Sequence, residues 1–328
     1  VNLQDKIYLF ASNDSREIVF TIRNNSGLFN GKVELKTIGN WSISPKEISI
    51  SFEKKDEEKQ VSFLVTPPVE AGESEFTVEV ISGNETFNNE MVTISYPHIQ
   101  IQTFFPSAEG KLIKLNTEKV ISSVGYVEGS GDDIPKYLEQ LGYNVDKLSD
   151  TQLENGLLKY DAIITGIRAF NTRKRLSALN GKLLDYVFNG GTLVVQYNTG
   201  NNLATNEIGP YPFEISRDRV TDEESPVSFI NPNHNLLNYP NEITVRDFEN
   251  WIQERGLYFP EKADPKYENI ILLNDKNEES LNSGIIYSKY GKGVFIYTSL
   301  SFFRQLPAGV QGAYRLFINL ISAGNKSG

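Results

Sequence analysis

The chain reads as an antiparallel β-sandwich followed by an α/β three-layer domain, and three observations predict this. Up to about residue 105, short segments alternate apolar and polar residues, with turn clusters between them, the pattern of strands buried on one face only. From Lys159 to Gly200 a complete strand, loop, helix and strand follow one another. Residues 120–158 add two further strand–helix pairs, so that right-handed crossovers build a doubly wound parallel sheet with helices on both faces.

In the first region the alternating segments are Glu17–Arg23, Gly31–Lys36, Glu47–Phe52, Gln60–Val65, Glu75–Ile81 and Met91–Ser95. Between them stand Asn24-Asn25-Ser26-Gly27, Gly39-Asn40, the charged run Glu53–Lys59, Pro67-Pro68 and Ser82-Gly83-Asn84. These are turn formers, and the charged run is a solvated turn. Trp41 reads as a core anchor at a strand edge, with stacking on carbohydrate as its alternative role. The Asn24–Gly27 turn and the Gly39-Asn-Trp-Ser-Ile-Ser-Pro45 stretch resemble the small immunoglobulin-like modules appended to bacterial sugar-active and envelope enzymes. Residues 106–119 read as a linker because Pro97 and Pro106 limit any helix, with a last strand at Lys111–Leu115 as an option.

In the second region, residues 120–328, Ser122–Val127 reads as the first parallel strand and Asp132–Leu141 as a helix with Ile134, Tyr137, Leu138 and Leu141 on one side. Tyr143–Leu148 is the next strand, and Asp150–Leu158 a short helix. Tyr160–Gly166 and Gly191–Tyr197 are apolar strands without polar alternation, as suits a sheet covered on both faces. Between them Leu176, Leu179, Leu183, Leu184 and Val187 recur at helical spacing, and Asn189-Gly190-Gly191 stops the helix. Residues of about 199–260 form a long irregular insertion, of the kind that builds sites or interfaces. Strands over 268–273, 283–289 and 294–298 and a helix over 309–323 close the domain.

Net charge is −10, with 11 basic and 16 acidic side chains in residues 1–115 and a similar imbalance after them. Nucleic acid is excluded as a partner, since phosphate binding needs a basic face. No apolar run approaches the ~18 residues of a membrane span, and the start lacks the basic and apolar regions of a signal peptide. The absence of cysteine excludes disulfides, thiolate metal sites and a cysteine nucleophile; His98 and His234 are too far apart for a histidine-rich zinc site. No cofactor is expected in this chain. The Gly129-Ser130-Gly131 loop lacks a third glycine of the dinucleotide fingerprint, and Asp132 and Asp133 would repel a phosphate.

Ligands of open α/β sheets lie at the carboxyl ends of the strands. That places Arg168, Asn171, Arg173, Arg175 and, after a later strand, Arg304 as candidate ligand contacts, arginine being suited to carboxylates and phosphates. Asp247, Trp251, Glu254 and Arg255 are candidates for a sugar pocket, or for one face of a helix. A hydrolytic alternative, acting on a glycan or an amide, uses Tyr197, Asn198, Thr199, His234 and Asp247. Thr199 stands as nucleophile, and His234, the domain's only histidine, as its activating base.

Residues 160–173 (YDAIITGIRAFNTR), 189–199 (NGGTLVVQYNT), 247–259 (DFENWIQERGLYF) and 291–317 (GKGVFIYTSLSFFRQLPAGVQGAYRLF) resemble the C-terminal region of bacterial PIG-L/LmbE-family deacetylase proteins. The resemblance implies an immunoglobulin-like module followed by a flavodoxin-like, class I glutamine-amidotransferase-like domain. It also implies a zinc-dependent N-acetyl-sugar deacetylase domain elsewhere in such proteins. The His-Pro-Asp-Asp metal motif of that domain is absent here, and the amidotransferase cysteine, expected near the turn Tyr197–Thr199, is missing. The expectation is therefore a non-catalytic accessory region that binds glycan or a protein partner, namely the upstream deacetylase-like domain or an envelope protein. A structural component of a cell-envelope complex is the third reading. A periplasmic, envelope or secreted location is expected, with the cytoplasm left open.

Overall fold

The computed structural model describes residues 1–324. The chain divides into two compact units after Asn116, each considered by itself.

In the first unit, Arg16–Arg23 pairs antiparallel with Glu58–Thr66, flanked by Asn2–Leu3 and Ser42–Ser44. A second sheet runs in the order Ile7–Phe10, Glu109–Lys114, Gly72–Ser82, Phe29–Thr37, Ile48–Phe52, and Glu85–Phe87 folds back onto Gly72–Ser82. Alternation drives Ile18, Phe20 and Ile22 to the inner face of the first sheet. There they meet Phe76, Val78 and Leu112 of the second, with the Phe20 and Phe76 rings 6.1 Å apart. The two sheets thus form a sandwich around one apolar layer. Trp41 packs edge-on against Phe10 at 5.1 Å, as a core anchor does. The stretch 106–119, expected as a linker, contains the strand Glu109–Lys114, so the sandwich extends beyond residue 105. That strand pairs parallel with Ile7–Phe10, a fully buried segment whose lack of alternation hid it.

The second unit is built on a sheet whose strands are β1 (Ser123–Val127), β2 (Asn144–Lys147), β3 (Ala162–Thr165), β4 (Thr192–Gln196), β5 (Glu268–Asn269), β6 (Ile285–Tyr290) and β7 (Gly293–Thr298). Its spatial order is β2-β1-β3-β4-β7-β6-β5. The first five in that order are parallel, and β6 and β5 are an antiparallel edge. Helices α1 (Ile134–Gln140), α2 (Asp150–Glu154), α3 (Ala169–Thr172) and α4 (Leu176–Phe188) follow β1, β2 and β3. The last long helix is Gln311–Ser322.

Layering follows from side-chain alternation along the central strands. Ile163, Leu193 and Val195 face α4, whose Leu179, Leu183 and Val187 complete one core. Each such buried aliphatic side chain contributes roughly 1.5–3 kcal/mol. The intervening Val124, Ile164, Val194 and Ile296 face the opposite side, where the Tyr137 ring of α1 meets Tyr314 of the last helix at 6.3 Å. All of these strand residues are buried, which explains their unbroken apolar runs. Helix α4 ends as predicted, at Asn189 and the positive-φ Gly190.

The insertion resolves into small antiparallel pairings, Glu214–Ile215 with Pro260–Glu261, Arg219–Val220 with Gly256–Leu257, and Val227–Phe229 with Ile271–Leu273. Asp247–Arg255 is not one helix: a short 3₁₀ turn, Val245–Phe248, gives way to irregular chain. Among the described residues no helix is long and apolar enough to cross a membrane.

Candidate functional site

The parallel strands deliver their loops to one edge, and the loops after β3 and β4 are locked together there. Arg168 N–H donates to the Tyr197 carbonyl at 2.8 Å. Asn198 is fully buried and accepts from Phe170 N–H at 2.9 Å, while its amide donates to the Gln196 carbonyl. Asn171 accepts from Thr199 N–H and donates to the carbonyls of Thr199 and Asn201, each at 2.9 Å. Asn171 and Asn198 therefore position backbone; neither amide is presented to a ligand.

A sharp strand-to-helix turn of this edge falls at Arg168 after β3, whereas β4 is followed at Tyr197–Thr199 by irregular chain. Arg168 has φ 57° and ψ 25°, left-handed backbone that a residue with a Cβ adopts at a cost of about 1 kcal/mol or more. Nothing in the sequence marks it, because the residue is not glycine. The turn is held from below. Asp132 accepts from Ile167 N–H and Ile134 N–H, both at 3.2 Å, and from the Tyr126 hydroxyl. Gly166 is required here, since a Cβ would stand 2.8 Å from Tyr126 Oη and 3.0 Å from Asp132 Oδ2. Burial pushes the Asp132 carboxyl above its ordinary value, and its hydrogen bonds, Tyr126 first, oppose the shift. Tyr126 is itself raised well above the usual phenol range, by burial and then by the Asp132 charge.

Around Tyr197 the insertion and the segment after β7 complete the surface. Its ring stacks on Tyr258 with centroids 5.9 Å apart and planes 14° apart, and Phe303 meets it at 5.5 Å. Tyr258 is another non-glycine residue in left-handed conformation, with φ 56°. The Arg219 guanidinium lies 5.2 Å from the Tyr258 ring centre and donates to its hydroxyl at 3.1 Å. At the other end Arg304 stands 4.8 Å over Phe303 and pairs through Nε with Glu254 at 2.7 Å. The result is a ladder, Arg219, Tyr258, Tyr197, Phe303, Arg304, with exposed Arg168 beside it. Burial raises the Tyr197 phenol, Arg168 and Arg304 lower it, and Glu254 raises it.

Other expected site residues have structural duties. Arg173 donates to the Leu148 carbonyl at 3.1 Å and pairs with Asp150, and Arg175 pairs with Glu154 at 3.0 Å. Trp251 is 3% exposed; Phe248 stacks on its indole at 5.3 Å, Phe302 and Arg255 pack nearby, and its N–H is bonded to the Asp247 carbonyl. It is core, not a sugar platform. Arg255 is buried and spends its guanidinium on the carbonyls of Ser225 and Phe248. Asp247 caps its turn through Thr244 and pairs with Arg315 at 2.8 Å.

The hydrolytic set does not assemble. Thr199 Oγ1 donates to the Asn201 carbonyl, whereas His234 caps the short helix Asn235–Asn238. His234 Nδ1 accepts from Leu236 N–H at 3.2 Å, its ring packs edge-on to Tyr287 of β6, and Nε2 faces Glu268 of β5 at 3.7 Å. The histidine thus stands at the antiparallel border of the sheet, with β7 and β6 between β4 and β5. Among the described residues no group of three His, Asp or Glu side chains converges as metal ligands would.

Of the residues gathered here, the sequence offered Arg168, Tyr197, Glu254 and Arg304 as candidates but not Arg219, Tyr258 and Phe303. Phe303 was visible as part of Phe-Phe-Arg after a strand; Tyr258 and Arg219 reach the site through two-residue strands that leave no periodic signal.

No family model matches the chain, and no curated protein matches it. Among solved structures, a putative GMP synthase component from Thermoplasma acidophilum is similar over 63% of this chain and 96% of its own, at 9% identity and TM-score 0.39. A β-galactosidase from Rahnella sp. R3 is similar over 61% of this chain and 31% of its own, at 13% identity and TM-score 0.38. WR4, an MSP family member from C. elegans, is similar over 34% of this chain and 95% of its own, at 11% identity and TM-score 0.21.

Proposed function

We propose that this chain is a non-catalytic accessory region of a PIG-L/LmbE-type deacetylase-related protein, and that its α/β unit binds glycan at the carboxyl edge of the parallel sheet. In this reading the sandwich is an immunoglobulin-like module, and the α/β unit a degenerate class I glutamine-amidotransferase-like domain. The observation that carries it is the residue at the sharp turn. Chemistry at such a turn needs a nucleophile with a base in reach; here the turn carries Arg168, beside an aromatic ladder and guanidinium groups. Half-buried Tyr258 and Phe303 offer ring surface of the kind that packs on the apolar face of a sugar, and the guanidinium groups supply hydrogen-bond donors. The deacetylase-like domain or an envelope protein is the proposed partner, and the cell envelope the proposed location.

Titration of the chain with a panel of oligosaccharides, followed by calorimetry, tests this. Binding is expected, and Phe303→Ala is expected to weaken it about tenfold, the loss of roughly 1.4 kcal/mol of stacking. Release of amine, acetate or reducing ends from any bound saccharide would overturn the non-catalytic reading. Failure of every saccharide to bind would overturn glycan recognition.

A further inference from the structure

We infer that the ligand at this edge is an acidic saccharide, its carboxylate received by Arg168; this rests on the glycan reading above and goes further in naming the ligand's charge. The guanidiniums of Arg168 and Arg304 lower the Tyr197 phenol, against burial, Glu254 and Tyr258, which raise it. Glu254 is already engaged, because it accepts from Arg304 Nε at 2.7 Å. Among the described residues the Arg168 guanidinium has neither a hydrogen bond nor an ion pair, although this protein carries a net charge of −10 and acidic partners abound. Its neighbours Arg173 and Arg175 on the same loop do find carboxylates, at Asp150 and Glu154. The left-handed turn that carries Arg168 is pinned through Arg168 N–H to Tyr197 and through Ile167 N–H to Asp132. A glycine would take this conformation without strain, so the arginine side chain is kept at a cost to the fold. An unpaired guanidinium fork beside aromatic rings matches a carboxylate on a stacking sugar ring, which it can bind bidentately. A neutral sugar would leave that fork unanswered.

The test uses the whole chain and two probes, an oligogalacturonate and the same oligosaccharide with its carboxyls reduced to alcohols. The expected result is that the acidic probe binds at least about tenfold tighter than the neutral one, and that added salt weakens only the acidic probe. Arg168→Gly is expected to abolish this preference while raising the midpoint of thermal unfolding, a combination that a merely structural arginine would not produce. Arg168→Lys is expected to keep part of the preference, since it retains charge but not the fork. Equal binding of the two probes would overturn the acidic assignment and leave glycan recognition standing. An unchanged preference in Arg168→Gly would overturn the role of Arg168. If neither probe nor any other saccharide binds, the glycan reading itself fails.

Discussion

Asp132 and His234 are two titratable groups whose environments act in opposite senses on stability. Asp132 has a raised carboxyl, so the folded chain holds that proton more tightly than the unfolded chain. Its favourable contribution is complete below the ordinary carboxylate value and is lost as pH rises through the folded value. Tyr126 supplies the largest bond opposing the shift, and Gln196 donates to the same hydroxyl at 3.3 Å. Tyr126→Phe is therefore expected to destabilise by about 1–3 kcal/mol at neutral pH, the cost of an unmet hydrogen bond to a buried charged group. The deficit should shrink near pH ~4, where the carboxyl approaches neutrality. Urea unfolding at the two pH values checks this, and equal deficits would refute it. His234 behaves conversely, because burial lowers its value, with Lys289 lowering and Glu268 raising it in smaller measure. Its contribution is present above the ordinary histidine value of about 6.5 and is lost as pH falls through the folded value, when Nδ1 can no longer accept from Leu236. His234→Asn keeps an N-cap acceptor without titrating. Between pH ~7.5 and ~5 the native chain should lose thermal stability relative to this variant; parallel loss in both would sink the assignment.

At the scale of elements, the insertion is bolted to the segment after β7 by a buried clamp. Gln305 is fully buried; its carbonyl accepts from Ile252 N–H at 2.8 Å, and its amide donates to the Ile252 carbonyl at 2.9 Å and to Ser301 Oγ at 3.0 Å. Trp251 fills the apolar side of the same joint between Phe248 and Phe302. Trp251→Ala is expected to cost about 3–5 kcal/mol through the cavity it leaves. Because the joint also sets Glu254 against Arg304, the variant should weaken saccharide binding without Trp251 touching the ligand. Chemical denaturation reads the first effect, calorimetry the second, and a loss below about 1 kcal/mol would show the joint to be slack. These elements also mark how far the sequence was legible. Helix α4 and its neighbouring strands could be read because heavy burial repeats at fixed spacing: Leu179, Leu183 and Val187 on the helix, unbroken apolar runs in β3 and β4. The insertion could not, since its two-residue strands are shorter than any period and its backbone turns at residues such as Gln253 and Tyr258, whose positive φ no composition rule foresees. For the same reason Trp251, Glu254 and Arg255 looked like one helical face but have separate roles, as core, as a partner of Arg304 and as a backbone donor.

For the molecule as a whole, each of the two units has an apolar core of its own. Tyr8, Phe20, Phe63, Phe76 and Leu112 belong to the sandwich core, and Ile163, Leu183, Val195, Phe295 and Tyr297 to the core between the sheet and α4. A unit that buries its own core can fold alone. Where the first unit ends then becomes a stability question, because composition suggests residue 105 whereas the fold places Glu109–Lys114 inside the second sheet of the sandwich. That strand stands between Ile7–Phe10 and Gly72–Ser82 in the sheet order, and it carries Leu112 into the apolar layer. A fragment of residues 1–116 is expected to unfold in one cooperative step. A fragment ending at 105 leaves Ile7–Phe10 unpaired in that sheet and opens a cavity at Leu112, a loss of at least about 2–5 kcal/mol from that side chain alone. Against the marginal stability of a domain this size, roughly 5–15 kcal/mol, the missing strand should lower the urea midpoint steeply or prevent folding altogether. Equal midpoints for the two fragments would mean that the strand adds nothing to the sandwich and that the composition boundary was the physical one.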